Sequence, residues 1–329
     1  MKCAGAFLGG LNGRVQFGEC VSGRDGFAET SSKRMNNLGL YLAAVLIWGS
    51  TWLAITFQLG RVPPEVSVAY RFALASAMLF AWCLVRRLPL RYSGREHGWM
   101  AAQGALLFGI NYVLVYLAEA QISSGLVALI FSLIAFMNIG WSRVLLGVRS
   151  APATLVAAAL GVGGVALVML PEIRTGVEGH TAWLGAGFAA ASTVSASLGN
   201  IVSARNQKRG LPVLQANAFG MMYGAVFVAL YATLAGRSFI FENSAAYVGS
   251  LMYLALFGSV LAFGAYLTLI GRIGADRAGY TGAMIPIVAI GLSTAFEGLK
   301  WHTLTFVGVA LCLGGNVLAL RSRRRAAQA

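Results

Sequence analysis

The side chains of this protein that could do chemistry lie inside long apolar runs. VLIWGSTWLAI (45–55) places Trp48, Ser50, Thr51 and Trp52 mid-way along a charge-free run from Leu38 to Leu59. Arg71 is the one charge well inside such a run, and Asn111, Asn138 and Asn200 are amides within others. Tyr116, Tyr266, Pro286 and Ser293 also lie at depth, with Glu119 and Glu297 at run ends. These types suit recognition rather than bond breaking. Indole and phenol rings pack on a substrate, amides and hydroxyls orient its polar groups, and a guanidinium attracts a carboxylate. Each also has a plainer reading. Ser50 and Thr51 can bond back to the preceding turn, and Arg71 can snorkel to the outer interface or hold a structural bond. Membrane amides often only join helices, for about 0.6–2 kcal/mol. Asn316, in a Gly-Gly packing segment, reads as structural.

Catalytic readings fail on spacing. His97, His180 and His302 fall at run ends or in loops, so none serves a buried Ser-His pair at mid-membrane. There is no HExxH and no P-loop. GVGGVA (161–166) fits a loose dinucleotide pattern, but it lies in an apolar run without a preceding strand, where small-residue helix packing accounts for it. Cys3, Cys20, Cys83 and Cys312 show neither a disulfide framework nor a metal spacing. No catalytic residue, metal or cofactor is expected.

The elements that must position these groups follow from composition. Hydrophobic residues make up 58% of the chain and charged residues 11%, with a mean hydropathy of +0.72. Soluble domains carry about 25% charged residues, so this chain cannot cover a water-facing surface. The apolar runs are near 20 residues long and do not alternate, which excludes barrel strands and leaves membrane helices. The expected fold is an all-α integral membrane protein with ten transmembrane helices, at 38–59, 64–85, 98–118, 122–146, 151–171, 183–204, 212–234, 247–270, 277–296 and 303–320. The spans at 183 and 212 are the weakest, being rich in small, hydroxyl or amide residues.

Charge sets the orientation. With both termini cytoplasmic, the basic clusters at 86–95, 205–209, 272–277 and 321–325, with Arg143 and Arg149, all fall inside. Only Arg61, Arg174, Arg237 and Lys300 fall outside, as the positive-inside rule requires. The net charge of +14 is therefore topology, not a nucleic-acid face. Residues 1–34, polar and Gly-rich, are expected to be a disordered tail or a misassigned start before Met35. Residues 323–329 form a basic cytoplasmic tail.

A repeat is visible. LGVGGVAL (160–167) matches LCLGGNVL (311–318), and FGINYVLVYL (108–117) matches FGSVLAFGAYL (257–267) with one extra residue in the second copy. Tyr116 and Tyr266 fall at matching positions. The two halves, 35–171 and 172–322, then hold five spans each. An odd number threads the second half oppositely, giving two inverted five-helix repeats with a site near the mid-plane.

The segments LAAVLIWGSTWLAI, VAYRFALASAMLF, SGLVALIFSLIAFMNI, GNIVSARNQKRGLPVLQANAFG, LALFGSVLAFGAYLTLIGRIGADRAGY and PIVAIGLSTAFEGLKW, in this order over about 36–322, resemble the EamA-like branch of the drug/metabolite transporter superfamily. The resemblance implies an inner-membrane permease for small metabolites, often amino acids or related compounds. It maps the family's Trp-Gly pair to Trp48-Gly49, its second-span arginine to Arg71, and its last-repeat proline and glutamate to Pro286 and Glu297. The chain departs from the pattern at Ala135 and Val148, where the first repeat often has Pro and Glu. The expected function is alternating-access movement of a small molecule across the bacterial inner membrane, with export the favoured direction. The expected site is lined by spans 1, 3, 4, 6, 8 and 9. Proton coupling, if present, falls to Glu119 or Glu297. The competing readings are a non-transporting scaffold or sensor, which needs no cavity, and a membrane-embedded enzyme, which needs a polar pair at one depth. Oligomeric state has no signal in the sequence.

Overall fold

Each apolar run becomes helix. The computed structural model describes residues 23–146, 152–174, 179–273 and 280–328, and among these the elements are helices without strands. Helix α1 spans Gly23–Thr56 and α2 Pro64–Val85. Helix α3 (Gly94–Gln103) passes through a π-helical segment, Gly104–Ile110, into α4 (Asn111–Glu119). Then come α5 (Ser124–Phe131), α6 (Ile134–Leu146), α7 (Pro152–Arg174), α8 (Gly179–Lys208) and α9 (Val213–Leu234). Helix α10 (Ala245–Tyr253) passes through a second π segment, Leu254–Leu261, into α11 (Ala262–Ile273). The described chain ends with α12 (Tyr280–Phe296) and α13 (Thr303–Gln328).

Five segments are long and apolar enough to cross a membrane by length and composition: Asn37–Thr56, Pro64–Val85, Gly94–Glu119, Val213–Leu234 and Ala245–Tyr266. Shorter apolar helices lie at Ser124–Asn138, Leu155–Pro171, Thr281–Phe296 and Thr303–Ala319. Leu46, Trp82, Leu155, Val226, Leu261 and Phe306 all stand exposed on the helix surfaces. Apolar exposure on this scale suits lipid and not water. Of the expected tail, residues 1–22 lie outside the described residues, and from Gly23 the backbone already belongs to α1. Val148 also lies outside them.

Glycines set the helix spacing. A methyl on Gly164 would fall 2.6 Å from the Cys312 amide nitrogen, and one on Gly315 would fall 2.6 Å from the Ala157 carbonyl oxygen. The two Gly-rich segments matched in the sequence are thus one interface, α7 against α13, as small residues permit in lipid. The first π segment meets α9 the same way, where Gly224 would place a methyl 2.8 Å from the Gly104 carbonyl. Helix α2 also lies on α9, with Ser76 Oγ donating to the Ala218 carbonyl at 2.9 Å.

Three local features shape the expected spans. Helix α12 runs through Pro286 without a break, so the proline removes one donor and leaves the helix continuous. The break falls instead at Ser132–Leu133, between α5 and α6, in the span that lacks a proline. There Ser132 Oγ donates to the Leu129 carbonyl at 2.7 Å and accepts from Asn316 Nδ2 at 3.2 Å, so Asn316 ties α13 to the break. Third, α8 forms despite its small, hydroxyl-rich sequence. Ser192 and Thr193 return their hydroxyls to the Ala189 carbonyl at 2.7 Å, which satisfies them inside the helix. The second π segment is 8 residues long against 7 in the first, and it lies where the second copy of the repeat carries its extra residue. A π bulge is the ordinary way for a helix to absorb an insertion, and such bulges favour functional sites.

The two ends of the bundle are closed by different chemistry. At one end Arg237 pairs with Glu65 at 3.5 Å, and Gln58 Nε2 donates to the Tyr247 carbonyl at 2.8 Å. At the other end Gln103 Nε2 donates to Asn217 Oδ1 at 3.0 Å, and Asn206 Nδ2 donates to Gln103 Oε1 at 3.1 Å. Arg205 lies 3.6 Å above the Trp99 ring there.

Candidate functional site

Gly258, in the second π segment, is where three of the expected site residues meet. Trp48 Nε1 donates to its carbonyl at 3.1 Å. A methyl on Gly258 would fall 2.8 Å from Thr51 Cγ2 and 3.4 Å from Arg71 Nη2. Only glycine lets α1, α2 and the π segment close on one point. The Trp48 ring packs against Phe263 and Tyr266, each at 5.1 Å between centroids, so the indole faces protein and not lipid. Ser50 bonds back to Leu46 and Ile47 and also meets the Tyr253 hydroxyl at 2.7 Å. Thr51 Oγ1 donates to the Trp48 carbonyl at 2.7 Å. Both hydroxyls thus bond back to the preceding turn, as the plainer reading has it. Trp52 lies against Phe131 of α5 at 5.2 Å.

Arg71 does not snorkel. It is 1% exposed, and its Nε and Nη1 find no hydrogen-bond partner among the described residues. Its guanidinium lies 4.6 Å from the Tyr112 ring centroid, and the negative face of that ring stabilises the charge. Along α4, Tyr112, Tyr116 and Glu119 stand at i, i+4 and i+7, one stripe of the helix. Tyr116 is fully buried with its hydroxyl unpartnered, and Glu119 is 7% exposed with both carboxylate oxygens unpartnered. Arg71 lies within electrostatic reach of both. Yet among the described residues the one ion pair closer than 4.0 Å is Arg237–Glu65, so Arg71 and Glu119 are held apart.

Glu297 follows the end of α12, where Gly298, at φ 69, turns the chain in a conformation that favours glycine. Its carboxylate accepts from the Ser124 amide at 3.1 Å and the Ser124 hydroxyl at 2.5 Å, which fixes it at the start of α5. Ser293, one turn earlier, is buried with its hydroxyl unpartnered. It packs where Gly125 leaves room, since a methyl there would fall 2.8 Å from Ser293 Cβ. Pro286 is buried on α12. A cavity of about 540 Å³ opens at this end, lined among others by Ser123, Leu126, Pro171, Glu297 and Lys300. It falls within the ~300–1,000 Å³ typical of small-molecule sites.

The amides lie apart from this cluster. Asn138 Oδ1 accepts from Ser197 Oγ at 2.7 Å, which joins α6 to α8. Asn200 is half-buried one turn further along α8. Asn111 donates to the Leu107 carbonyl at 3.1 Å while its Oδ1 is buried and unpartnered. The expected site thus divides into an Arg71–Glu119 group near the cavity and an Asn138–Asn200 group along α8, with Asn111 just past the first π segment. Sequence reasoning missed Tyr112, Ser124, Tyr253 and Gly258. The i+4 spacing of Tyr112 and Tyr116 was a readable signal. Gly258 carried none, because its role depends on contacts from distant helices.

Two segments, residues 37–170 and 183–321, each match the EamA-like transporter family. The chain belongs to this family. The two matches cover most of the chain. Among similar proteins, the uncharacterized inner membrane transporter YedA of Escherichia coli K12 is 28% identical over 285 residues, covering 84% of this chain and 89% of its own. Protein PagO of Salmonella typhimurium is 22% identical over 296 residues, covering 87% and 95%. An E. coli K12 protein named "Probable amino-acid metabolite efflux pump" is 26% identical over 301 residues, covering 87% and 96%. A solved crystal structure covering 89% of this chain and 98% of its own superposes with a TM-score of 0.61 at 23% identity, a likeness of fold alone. The EamA-like family and these relatives point to a membrane transporter rather than an enzyme.

Proposed function

We propose that the chain is a bacterial inner-membrane permease that exports small metabolites by alternating access. The observation that carries this reading is the meeting of Trp48, Thr51 and Arg71 from the first family segment on Gly258 of the second, beside buried polar atoms without partners. A scaffold needs no such group, and an intramembrane charge that serves only packing is costly. The proposed architecture is ten spans in two inverted five-helix repeats. Helices α3 with α4, α5 with α6, and α10 with α11 each count as one span. The paired π segments and the α7–α13 glycine interface support the repeat. The charge asymmetry supports cytoplasmic termini, which puts the cavity beside Glu297 on the outer face.

The substrate class proposed is amino acids and related compounds, in keeping with the name of one relative. Trp48, Trp52 and Tyr266 would pack on the substrate. Asn111, Tyr116, Asn138, Asn200, Ser50, Thr51 and Ser293 would orient it, and Pro286 would leave a carbonyl of α12 without its donor. Glu119 and Glu297 are the carboxylates for proton coupling. Metabolite profiling of cells with and without the protein, followed by flux in membrane vesicles, tests the reading. Trp48→Ala and Asn138→Ala are each expected to lower flux by about tenfold or more, equivalent to ~1.4 kcal/mol. No metabolite difference and no flux would remove the permease reading, and unchanged flux in both variants would remove these two residues from the site.

A further inference from the structure

Three cations meet without a counter-charge at the end of the bundle that holds Gln103 and Asn217. Arg205, in the last turn of α8, lies 3.6 Å above the Trp99 ring of α3, and its Nη1 donates to Asn206 Oδ1 at 3.3 Å. Arg209 stands one turn further along, its amide donating to the Arg205 carbonyl at 3.1 Å. Arg95 stands one turn before Trp99 on the same face of α3. Arg205 lies within electrostatic reach of both. Among the described residues no carboxylate approaches any of the three within 4.0 Å. The acid next to Arg95 in sequence, Glu96, is turned back on the helix start, where it accepts from the Ser93 amide at 2.6 Å.

Topology alone does not account for this arrangement. The positive-inside rule asks only for charge on the cytoplasmic side and fixes no side chain. Here Arg205 is stacked on a ring, which costs rotamer freedom. Nor does the helix joint need it. Asn206 Nδ2 donates to the Trp99 carbonyl at 3.4 Å, and at the opposite end Gln58 Nε2 donates to the Tyr247 carbonyl at 2.8 Å. Asn206 lies as far along the chain from Gln58 as Tyr247 lies from Trp99, so one amide-to-carbonyl bond recurs at both ends. Phe57 stands beside Gln58 where Arg205 stands beside Asn206, and the bond forms there without a cation.

We propose that Arg95, Arg205 and Arg209 hold the phosphate groups of an anionic phospholipid in the inner leaflet. Guanidinium forks bind phosphate oxygens in pairs, and basic pockets between helices on the cytoplasmic side suit such head groups. What continues the site favours a lipid over a soluble phosphate. Val202 and Leu198 lie one and two turns before Arg205 on the same face of α8, and both are half-buried apolar residues along which an acyl chain can lie. Trp99 is the kind of ring that sits at head-group depth. A lipid with two phosphates matches three cations better than a lipid with one, so diphosphatidylglycerol is the probe of choice. Trp99 and Asn206 also belong to the amide chain that runs through Gln103 to Asn217, so the bound lipid braces α3, α8 and α9 together. The site takes its leaflet from the charge asymmetry and depends on no substrate.

The test uses the full-length protein in uncharged detergent, with bound lipid counted by native mass spectrometry. It is titrated with diphosphatidylglycerol and with phosphatidylcholine, and the first titration is repeated in excess inorganic phosphate. Diphosphatidylglycerol is expected to bind at least about tenfold more tightly than phosphatidylcholine, and inorganic phosphate is expected not to displace it. Arg205→Gln is expected to weaken diphosphatidylglycerol binding by about fivefold or more, near the share of one arginine at an anionic membrane surface. Arg321→Gln, in the basic segment that ends the chain, is expected to leave it unchanged. If Arg205→Gln fails to fold, Arg95→Gln, at an exposed position, takes its place. Equal binding of the two lipids, displacement by inorganic phosphate, or equal effects of the Arg205→Gln and Arg321→Gln substitutions overturns the inference. None of these outcomes bears on metabolite flux, so the permease reading is tested apart from them.

Discussion

Arg71→Ala is expected to abolish transport and to lower stability together. The arginine is buried, and Glu119 and Tyr116 lie in the same low-dielectric region without other partners. Removing the side chain empties the space between the Tyr112 ring and Gly258, and truncating a large buried side chain to alanine costs about 2–5 kcal/mol. It also removes the group that reaches α4 and the second π segment together. Flux should fall by more than about 100-fold, since a loss near 3 kcal/mol corresponds to roughly that factor. Arg71→Lys separates the two effects. It keeps a positive charge near Glu119, but an ammonium cannot stack its plane on Tyr112 while reaching Gly258. Thermal stability should therefore recover more than flux. Equal recovery of both would make Arg71 a brace only.

Gly164→Val is expected to lower stability by forcing α7 and α13 apart. A Cβ at Gly164 would fall 2.5 Å from the Gly308 carbonyl oxygen and 2.6 Å from the Cys312 amide nitrogen. Both are backbone atoms of α13, so no side chain can turn aside, and the two helices must separate. Overpacking of this kind costs about 1–3 kcal/mol or more, and Asn316 on the same helix would lose its tie to Ser132 at the α5–α6 break. Neighbouring Gly163 is the control. Nothing lies within 4 Å of a Cβ there, so Gly163→Ala should be neutral or stabilise by up to about 1 kcal/mol, alanine being the better helix former. Thermal unfolding monitored by size exclusion distinguishes the pair, and similar melting for both variants would contradict the close α7–α13 approach.

The parts of this structure that were legible in the sequence are those fixed by pattern. Apolar runs gave helices, and matched Gly-Gly segments gave the α7–α13 interface, because close approach in lipid requires small residues wherever it occurs. Trp48 and Arg71 stood out for being polar at depth, and both face protein. What pattern could not carry was geometry between distant segments. Helix α12 passes through Pro286, while the break falls at Ser132, whose hydroxyl accepts from Asn316 of α13. The π segments leave no composition signature beyond the one-residue offset between repeat copies. Tyr112 escaped notice because an exposed-looking tyrosine in an apolar run is ordinary until an arginine from α2 lies over it.

The most direct measurement places one cysteine at Asn111 in a chain whose four native cysteines are replaced by alanine. Asn111 is 2% exposed and sits just past the first π segment. A membrane-impermeant thiol reagent is applied to the outer face of intact cells and, separately, to the inner face in inverted vesicles. Opposed halves that open in turn should allow modification from both faces, at rates that a transported amino acid changes in opposite directions. Modification from one face alone, or from neither, would contradict alternating access through this site.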